Sequence, residues 1–268
     1  MSRMLSDTAL ESGSPDRFGY AWDIYSDILP IHERQFDGWT SVLPDGAWKD
    51  ATFLDVGCGM GRNGFWAIKK GARRGRAIDV DNRSLNAAKR NLQDVDVSVE
   101  FESVYDLAEE NEYDIAFSIG VVHHLSNPDL AVANMKKAVK PGGTVLVWLY
   151  GYENNEWIVR WFDPFRRTLF SKLPLSFVYF LSLFPTAMLW LLLRTGFGLL
   201  EYHKLLRDIS FGHLRSIVFD QMIPQIAKYY RHSEVLDLLA RAGLEDIRIV
   251  AVNDMSWSAM ARKPLGTR

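Results

Sequence analysis

The chain has very little cysteine: Cys58 alone in 268 residues. That excludes an internal disulfide and any zinc site built from several thiolates, and it suits a reducing compartment. Charge of one sign is missing as well. Lys and Arg number 31 against 33 Asp and Glu, a net charge of −2, so the composition carries no electrostatic footprint for nucleic acid. The first 17 residues hold Asp7, Glu11 and Asp16 and no apolar core of the signal-peptide kind, from which synthesis and residence in the cytoplasm are expected. No Asp or Glu follows the only histidine pair, His123 and His124, at a ligand spacing, so no metal is expected.

What the chain does have is apolar content, 48% of residues, enough for one large α/β core with room left over for an insertion. Its most informative stretch is 52–64, TFLDVGCGMGRNG. Apolar residues up to Val56 read as a buried strand, Gly57, Gly59 and Gly61 as a tight turn, and residues 63–70 as a helix. Without Cβ atoms the turn can take positive φ and bring its peptide groups against a ligand at the helix N-terminus. The glycines leave two ligands open. Gly59-x-Gly61-x-x-Gly64 satisfies the dinucleotide fingerprint of nicotinamide enzymes, and Asp55-x-Gly57-x-Gly59-x-Gly61 resembles the S-adenosylmethionine loop of class I methyltransferases. Asp55, an acid at the strand end, suits a ligand with a sulfonium and an ammonium better than it suits a pyrophosphate. Cys58 reads as a small filler of the turn.

A second short strand, 76–81, ends in acids. Asp79 stands where a carboxylate can meet both hydroxyls of a ribose, and Asp81 where a helix cap is expected before a helix over 82–92. A third strand covers 97–101 and a fourth 113–120. His123 and His124 follow, and being adjacent they point apart, so at most one faces a site. A histidine titrates near neutrality, which makes either a candidate general base. Residues 128–139 read as a helix broken by Lys140-Pro141-Gly142-Gly143 before a fifth strand at 144–149. Near the end, 233–244 reads as an amphipathic helix capped by Ser233 and closed by Gly243, followed by strands at 247–252 and 257–261.

Taken in order and spacing, the glycine turn, the Asp79 strand, the double histidine and the Pro-Gly-Gly break resemble the class I, type-11-like S-adenosylmethionine-dependent methyltransferases across residues 51–150. The resemblance implies a doubly wound, Rossmann-like α/β sheet of seven strands, six parallel and one antiparallel, with S-adenosyl-L-methionine as cofactor. Carried onto this chain, it assigns cofactor binding to Asp55, Gly57, Gly59, Gly61 and Asp79, and to Ile119, whose carbonyl would take the ammonium. Four residues before Leu107 the family usually carries an Asp for the adenine amino group; this chain has Ser103 there, a departure that leaves the Ser103 hydroxyl and the Val104 amide as the contacts, with Asp106 as the alternative at the wrong count. His124, nearer the methyl end by the strand count, is the first candidate base and His123 the second.

Around this core, residues 1–50 read as a cap, 151–232 as an insertion after the fifth strand, and 233–268 as the closing helix and strand pair. The cap is rich in aromatics from Phe18 to Trp48. Its Phe18-Gly19-Tyr20-Ala21-Trp22 run resembles the pre-core segment of some of these enzymes, which gives Tyr20 a place over the cofactor. The insertion holds the strangest segment, 173–193, with no charged residue. It is long enough to span a bilayer, but sheet strands lie on both sides of it and a true span would part the sheet. A buried helical hairpin, a lid over an apolar substrate and an in-plane membrane contact remain. The expected activity is methyl transfer to a small apolar or lipid-like acceptor, with His203, His213, Asp220 and Tyr229 as polar residues able to line the pocket. An NAD(P)-dependent oxidoreductase, and a cofactor-binding module without turnover acting through the insertion, are the alternatives.

Overall fold

The computed structural model describes residues 15–196 and 200–266; Asp7 and Glu11 lie outside them. Seven strands form one sheet in the order β3-β2-β1-β4-β5-β7-β6. They are β1 Thr52–Val56, β2 Arg74–Asp79, β3 Val97–Phe101, β4 Tyr113–Ile119, β5 Val139–Tyr150, β6 Glu245–Val252 and β7 Ser256–Arg262. Neighbours from β3 through β5 are parallel, and β7 runs antiparallel to both β5 and β6, so it is the reversed strand. All five residues of β1 are buried, and so are six of the seven of β4. Strands covered on both faces read as continuous apolar runs, and that is why these two stood out.

One face is covered by α5 (Pro128–Ala138) and α10 (His232–Arg241) over a core with Leu54, Met135, Val145 and Leu238. The other is covered by α2 (Ile31–Trp39) and α3 (Arg62–Lys69) over an aromatic core. There Phe117 stands edge-on to Trp48 at 5.5 Å and lies 5.6 Å from Phe53. Phe53 covers Gly75, where a Cβ would stand 2.2 Å from its ring. The N-terminal aromatics divide: Phe36 and Trp48 pack behind the sheet, Phe18, Trp22 and Tyr25 face the carboxyl ends of the strands, and Trp39 takes part in both.

Phe18 and Trp22 ride on α1 (Pro15–Ile24), which bridges the core and the insertion. Its Gly19 lies against the carboxylate of Asp81, the residue that caps α4 (Asn82–Asn91) by accepting the Arg83 and Ser84 amides. Arg83 pairs with Asp16 at 2.7 Å, and Arg17 donates to the carbonyls of Ile223 and Phe170 on the insertion side, both at 2.8 Å.

Two local expectations are corrected. The Pro-Gly-Gly run does not separate a helix from a strand. β5 begins at Val139, and the run is absorbed as a register shift against β4 between the pairs Tyr113–Val139 and Ile115–Thr144. The last helix is capped not by Ser233 but by the Glu234 carboxylate, which accepts the Arg231 amide at 2.7 Å.

The insertion holds a π-helical turn at Ile158–Phe162, α6 (Asp163–Thr168), α7 (Leu175–Arg194), α8 (Glu201–Arg207) and α9 (Phe211–Met222). α7 packs on α9, but its apolar residues are not sealed into a buried hairpin: Phe180, Phe184, Met188 and Leu191 are each more than half exposed.

The Gly19 contact sets two effects of opposite sign against each other. Ala in place of Gly inside a helix contributes about 0.5–1 kcal/mol of stability, yet here the added Cβ would stand 2.0 Å from the Asp81 carboxylate, and overpacking costs roughly 1–3 kcal/mol. Gly19→Ala is expected to lower stability in urea unfolding and to speed proteolytic cutting before residue 30; a stabilised variant would show that α1 is not seated on Asp81.

Candidate functional site

The strand order turns back between β1 and β4, and the crevice at their carboxyl ends is where ligands bind in such sheets. A cavity of about 1630 Å³ lies there. Its floor is the glycine loop. Gly57, Gly59 and Gly61 have φ of 73°, 54° and 84°, and a Cβ on them would stand 2.5 Å from Val121, 2.9 Å from the Trp22 indole nitrogen and 2.9 Å from Leu92. Both the backbone angle and the close approach demand glycine.

The loop is held by Asp79. One carboxylate oxygen accepts the Gly59 amide at 2.9 Å, and the other accepts the Val80 and Asp81 amides at 2.8 and 3.0 Å. Asp79 also lines the cavity, as do Gly57, Gly59, Ser103, Val104 and Ile119. Ser103 uses its oxygen locally, accepting the Tyr105 amide at 3.2 Å.

Other expected site residues stand elsewhere. Gly61 shapes the loop without lining the cavity, and Tyr20 packs against Phe219 at 6.1 Å, leaving the wall to Phe18, Trp22, Tyr25 and Trp39. Asp55 is sealed beneath the loop with neither oxygen in a full hydrogen bond. Burial first, and then the Asp79 charge, push its carboxyl up to about 8, with the Gly64 amide and Arg62 opposing.

The histidine pair does not point apart as expected: the two rings stand 4.2 Å from each other, and yet only His124 borders the cavity. His123 is fully buried and away from the cavity, its ring 3.9 Å from that of Tyr150, and burial holds it well below the usual imidazole range. His124 lines the cavity; its Nδ1 lies 2.6 Å from the Ile226 carbonyl, which can only accept, so the proton sits on Nδ1 and Nε2 is the free acceptor. Burial lowers His124 to about 4, which makes it a weak base at neutral pH.

The far wall holds a polar group that the loop motifs do not announce. Arg62, the first residue of α3, lies between two indoles, 5.0 Å from Trp22 and 4.9 Å from Trp39. Facing it are His32 and Gln35 from α2, and His213 and Asp220 from α9. His32 and His213 stand 5.3 Å apart and are lowered by burial to about 3 and 4, so both are neutral at pH 7. Asp220 is raised by burial to about 7 against the pull of Arg62, and its Oδ1 has no partner. Beside it Gln221 donates to the Tyr150 hydroxyl at 2.9 Å and accepts from Tyr229 at 3.3 Å. His203, Asp220 and Tyr229 all line the cavity. Arg62 was visible in the sequence directly after the loop; what surrounds it comes from residues 22–39 on one side and 213–220 on the other, and no spacing rule joins the three. Among the described residues no acid and histidine cluster could hold a metal ion.

These features fit S-adenosylmethionine. A glycine floor with no Cβ to hold a ligand off and a strand-end carboxylate with a lone pair left for a hydroxyl suit a ligand with a ribose, while Asp55, off the cavity and protonated at neutral pH, acts on it only from beneath the loop.

Comparison with known proteins agrees. The model of a methyltransferase domain matches residues 53–143. A ubiquinone biosynthesis O-methyltransferase of Dechloromonas aromatica is 31% identical over 143 residues, 49% of this chain and 60% of that protein. A tRNA U34 carboxymethyltransferase of Cellvibrio japonicus is 32% identical over 146 residues, 52% of this chain and 45% of that protein. The chain thus spans about half the length of the curated relatives it matches. An S-adenosylmethionine-dependent methyltransferase structure from Aquifex aeolicus superposes with a TM-score of 0.55 at 18% identity over 93% of this chain and 98% of that one, a likeness of fold.

Two outcomes are expected from this geometry. An acid whose folded value lies above its unfolded one, about 3.9, keeps its proton in the folded chain where the unfolded chain has lost it, so Asp55 lowers stability as pH rises from about 4 to about 8 and no further. Asp55→Asn should flatten that part of the pH profile in urea unfolding; an unchanged slope would mean that Asp55 ionises normally. Asp79→Ala removes a charged acceptor of three amides and should weaken S-adenosylhomocysteine binding by about 1–3 kcal/mol in calorimetric titration. Unaltered affinity in a folded variant would place the ribose elsewhere.

Proposed function

We propose, from the premise that residues 53–143 are a class I S-adenosylmethionine-dependent methyltransferase domain, that this chain transfers a methyl group to a small, lipid-like acceptor. The observation that carries the reading is the reach of one cavity: it runs from the glycine loop to Phe184, Met188 and Leu189 on the apolar helix α7. A polar acceptor group would sit near Arg62 and Asp220, and an apolar chain would lie along α7.

When bound, the cofactor supplies an electrophilic methyl and leaves as S-adenosylhomocysteine. The loop and Asp79 would hold it, Ser103 and Val104 would border its ring, and the Ile119 carbonyl would take its tail. Phe18, Trp22 and the insertion exclude water, so that alignment of donor and acceptor does most of the work. An acceptor hydroxyl held near Asp220 would give up its proton to that carboxylate as it takes the methyl group. Asp220 is the better proton acceptor because its affinity lies near neutral pH, whereas His124 is held far below it. Contact of residues 173–193 with a membrane surface is part of the same reading, since a lipid-tailed acceptor resides there.

Calorimetry with S-adenosylhomocysteine and with NAD separates this function from an oxidoreductase. Transfer of labelled methyl to dodecylcatechol, with catechol as the tail-free control and dodecanoic acid as an acceptor that has no proton to lose at neutral pH, separates it from binding without turnover. Asp220→Asn should remove the ascending limb near pH 7 with dodecylcatechol and lower kcat by roughly 10²-fold, while sparing S-adenosylhomocysteine affinity and transfer to dodecanoate. An identical limb in the variant would take Asp220 out of the mechanism, and equal rates on catechol and dodecylcatechol would remove the lipid-like acceptor.

A further inference from the structure

α7 is built inside out. Phe177, Phe180, Phe184, Met188 and Leu191 recur at three- and four-residue spacing along one face and are 47–66% exposed. The face turned to α9 carries Val178, Ser182 and Thr186, all fully buried. The two hydroxyls satisfy themselves on their own helix, Ser182 donating to the Tyr179 carbonyl at 2.7 Å and Thr186 to the Ser182 carbonyl at 2.6 Å. Arg215 from α9 adds bonds to the Ser182 hydroxyl and the Tyr179 carbonyl. A helix folded against water would present the reverse arrangement.

A second stripe repeats the pattern. Trp157, Trp161, Phe165 and Leu169, one turn apart from each other through the π turn and α6, are 48–63% exposed. Trp157, Phe162 and Phe170 from this segment line the cavity, as do Phe184 and Met188 from α7, so both stripes border its mouth. An apolar patch of this extent marks a contact surface.

Charge says with what. Between residues 157 and 196 there are five basic side chains and one acid, Asp163, in a chain whose net charge is −2. Asp163 is already engaged by Arg166 and, at 3.1 Å, by Arg167. Arg160, Lys172 and Arg194 are exposed beside the stripes, with Arg194 stacked on Trp190 at 4.2 Å. Two copies meeting face to face would bring these cations together; an anionic lipid surface attracts them. α7 has the length and composition to cross a bilayer, but β5 before it and β6 and β7 after it belong to one sheet and α9 runs along it, so it lies in the plane of the surface.

We propose that the Trp157–Leu169 stripe and the outer face of α7 form one in-plane anchor for an anionic phospholipid surface, with the cavity mouth between them opening onto the bilayer. The anchor rests on the lipid-like reading of the acceptor and extends it: the acceptor enters sideways from the membrane. Tryptophans at the interface, apolar side chains in the acyl region and basic residues at the headgroups are the chemistry such a surface selects.

The test is flotation of the full chain, bound to S-adenosylhomocysteine, with phosphatidylcholine vesicles and with vesicles containing phosphatidylglycerol, at low and high salt. Partition is expected to favour the anionic vesicles, to fall with salt, and to drop by on the order of tenfold in Trp161→Ser/Phe165→Ser and in Phe180→Ser/Leu191→Ser. Arg160→Gln/Lys172→Gln should remove the preference for phosphatidylglycerol. S-adenosylhomocysteine affinity, unchanged throughout, reports that the variants fold. No flotation overturns the anchor. Equal flotation on both vesicles, unmoved by salt, overturns its anionic character. Concentration-dependent dimers in sedimentation, abolished by the same apolar variants without vesicle binding, assign the face to a second copy instead. Flotation without methyl transfer to tailed acceptors sinks the proposed activity and leaves the anchor, and transfer without flotation does the opposite.

Discussion

Three backbone amides converge on the carboxylate of Asp79, and the site depends on that convergence. The Gly59 bond ties the glycine loop after β1 to the end of β2, and the Val80 and Asp81 bonds turn the chain toward α4. Charge-assisted bonds of this kind are worth more than neutral ones, and here they hold a loop whose three glycines sit at positive φ. Asp81, placed by the same turn, caps α4 and presents the surface on which Gly19 and α1 lie. One carboxylate thus orders the floor of the cavity and, through its neighbour, part of the lid.

Above that floor the cavity is electrostatically sparse. Its histidines are neutral: His32, His213 and His124 are all lowered by burial. Arg62 remains as a half-buried cation held by the faces of two tryptophans, an arrangement that suits guanidinium because the ring quadrupole replaces part of its lost hydration. Asp220 faces it without closing an ion pair, and the uncompensated burial leaves this carboxyl poised to gain or lose a proton near neutrality. Groups kept apart in this way are available to a ligand, whereas a closed pair would not be.

The insertion joins the two themes. Its inner surfaces supply Asp220, Gln221 and Tyr229 to the polar end of the cavity, and its outer surfaces carry aromatics into solvent. Arg17 fastens it to α1 through the carbonyls of Phe170 and Ile223, so the lid and the exposed apolar face form one continuous structure. α7 meets the protein through Val178, Leu181, Leu189 and Leu193 together with the buried hydroxyls of Ser182 and Thr186, and it turns Phe177, Phe180 and Phe184 the other way.

By itself the sequence determined the sheet, the loop and the acid at the end of β2, because buried parallel strands, glycine turns and helix caps are local patterns with local causes. The order of strands and the reversed β7 followed from their resemblance to a known family. Local reading erred where neighbours override propensity: Pro141-Gly142-Gly143 is held within β5 by its pairing with β4, and Glu234 rather than Ser233 reaches the open amide of the last helix. Tertiary structure alone decided which aromatics face the cavity, setting Phe18, Trp22, Tyr25 and Trp39 there and turning Tyr20 to Phe219. It also decided that His124 faces the cavity and His123 does not, and that Arg62 meets residues of α9 some 150 positions away. The charge-free run at 173–193 was plain in the sequence, but its orientation was not. A helix apolar all round has no periodicity to say which side faces inward, and that choice was left to the fit of Ser182 and Thr186 against Arg215 and α9.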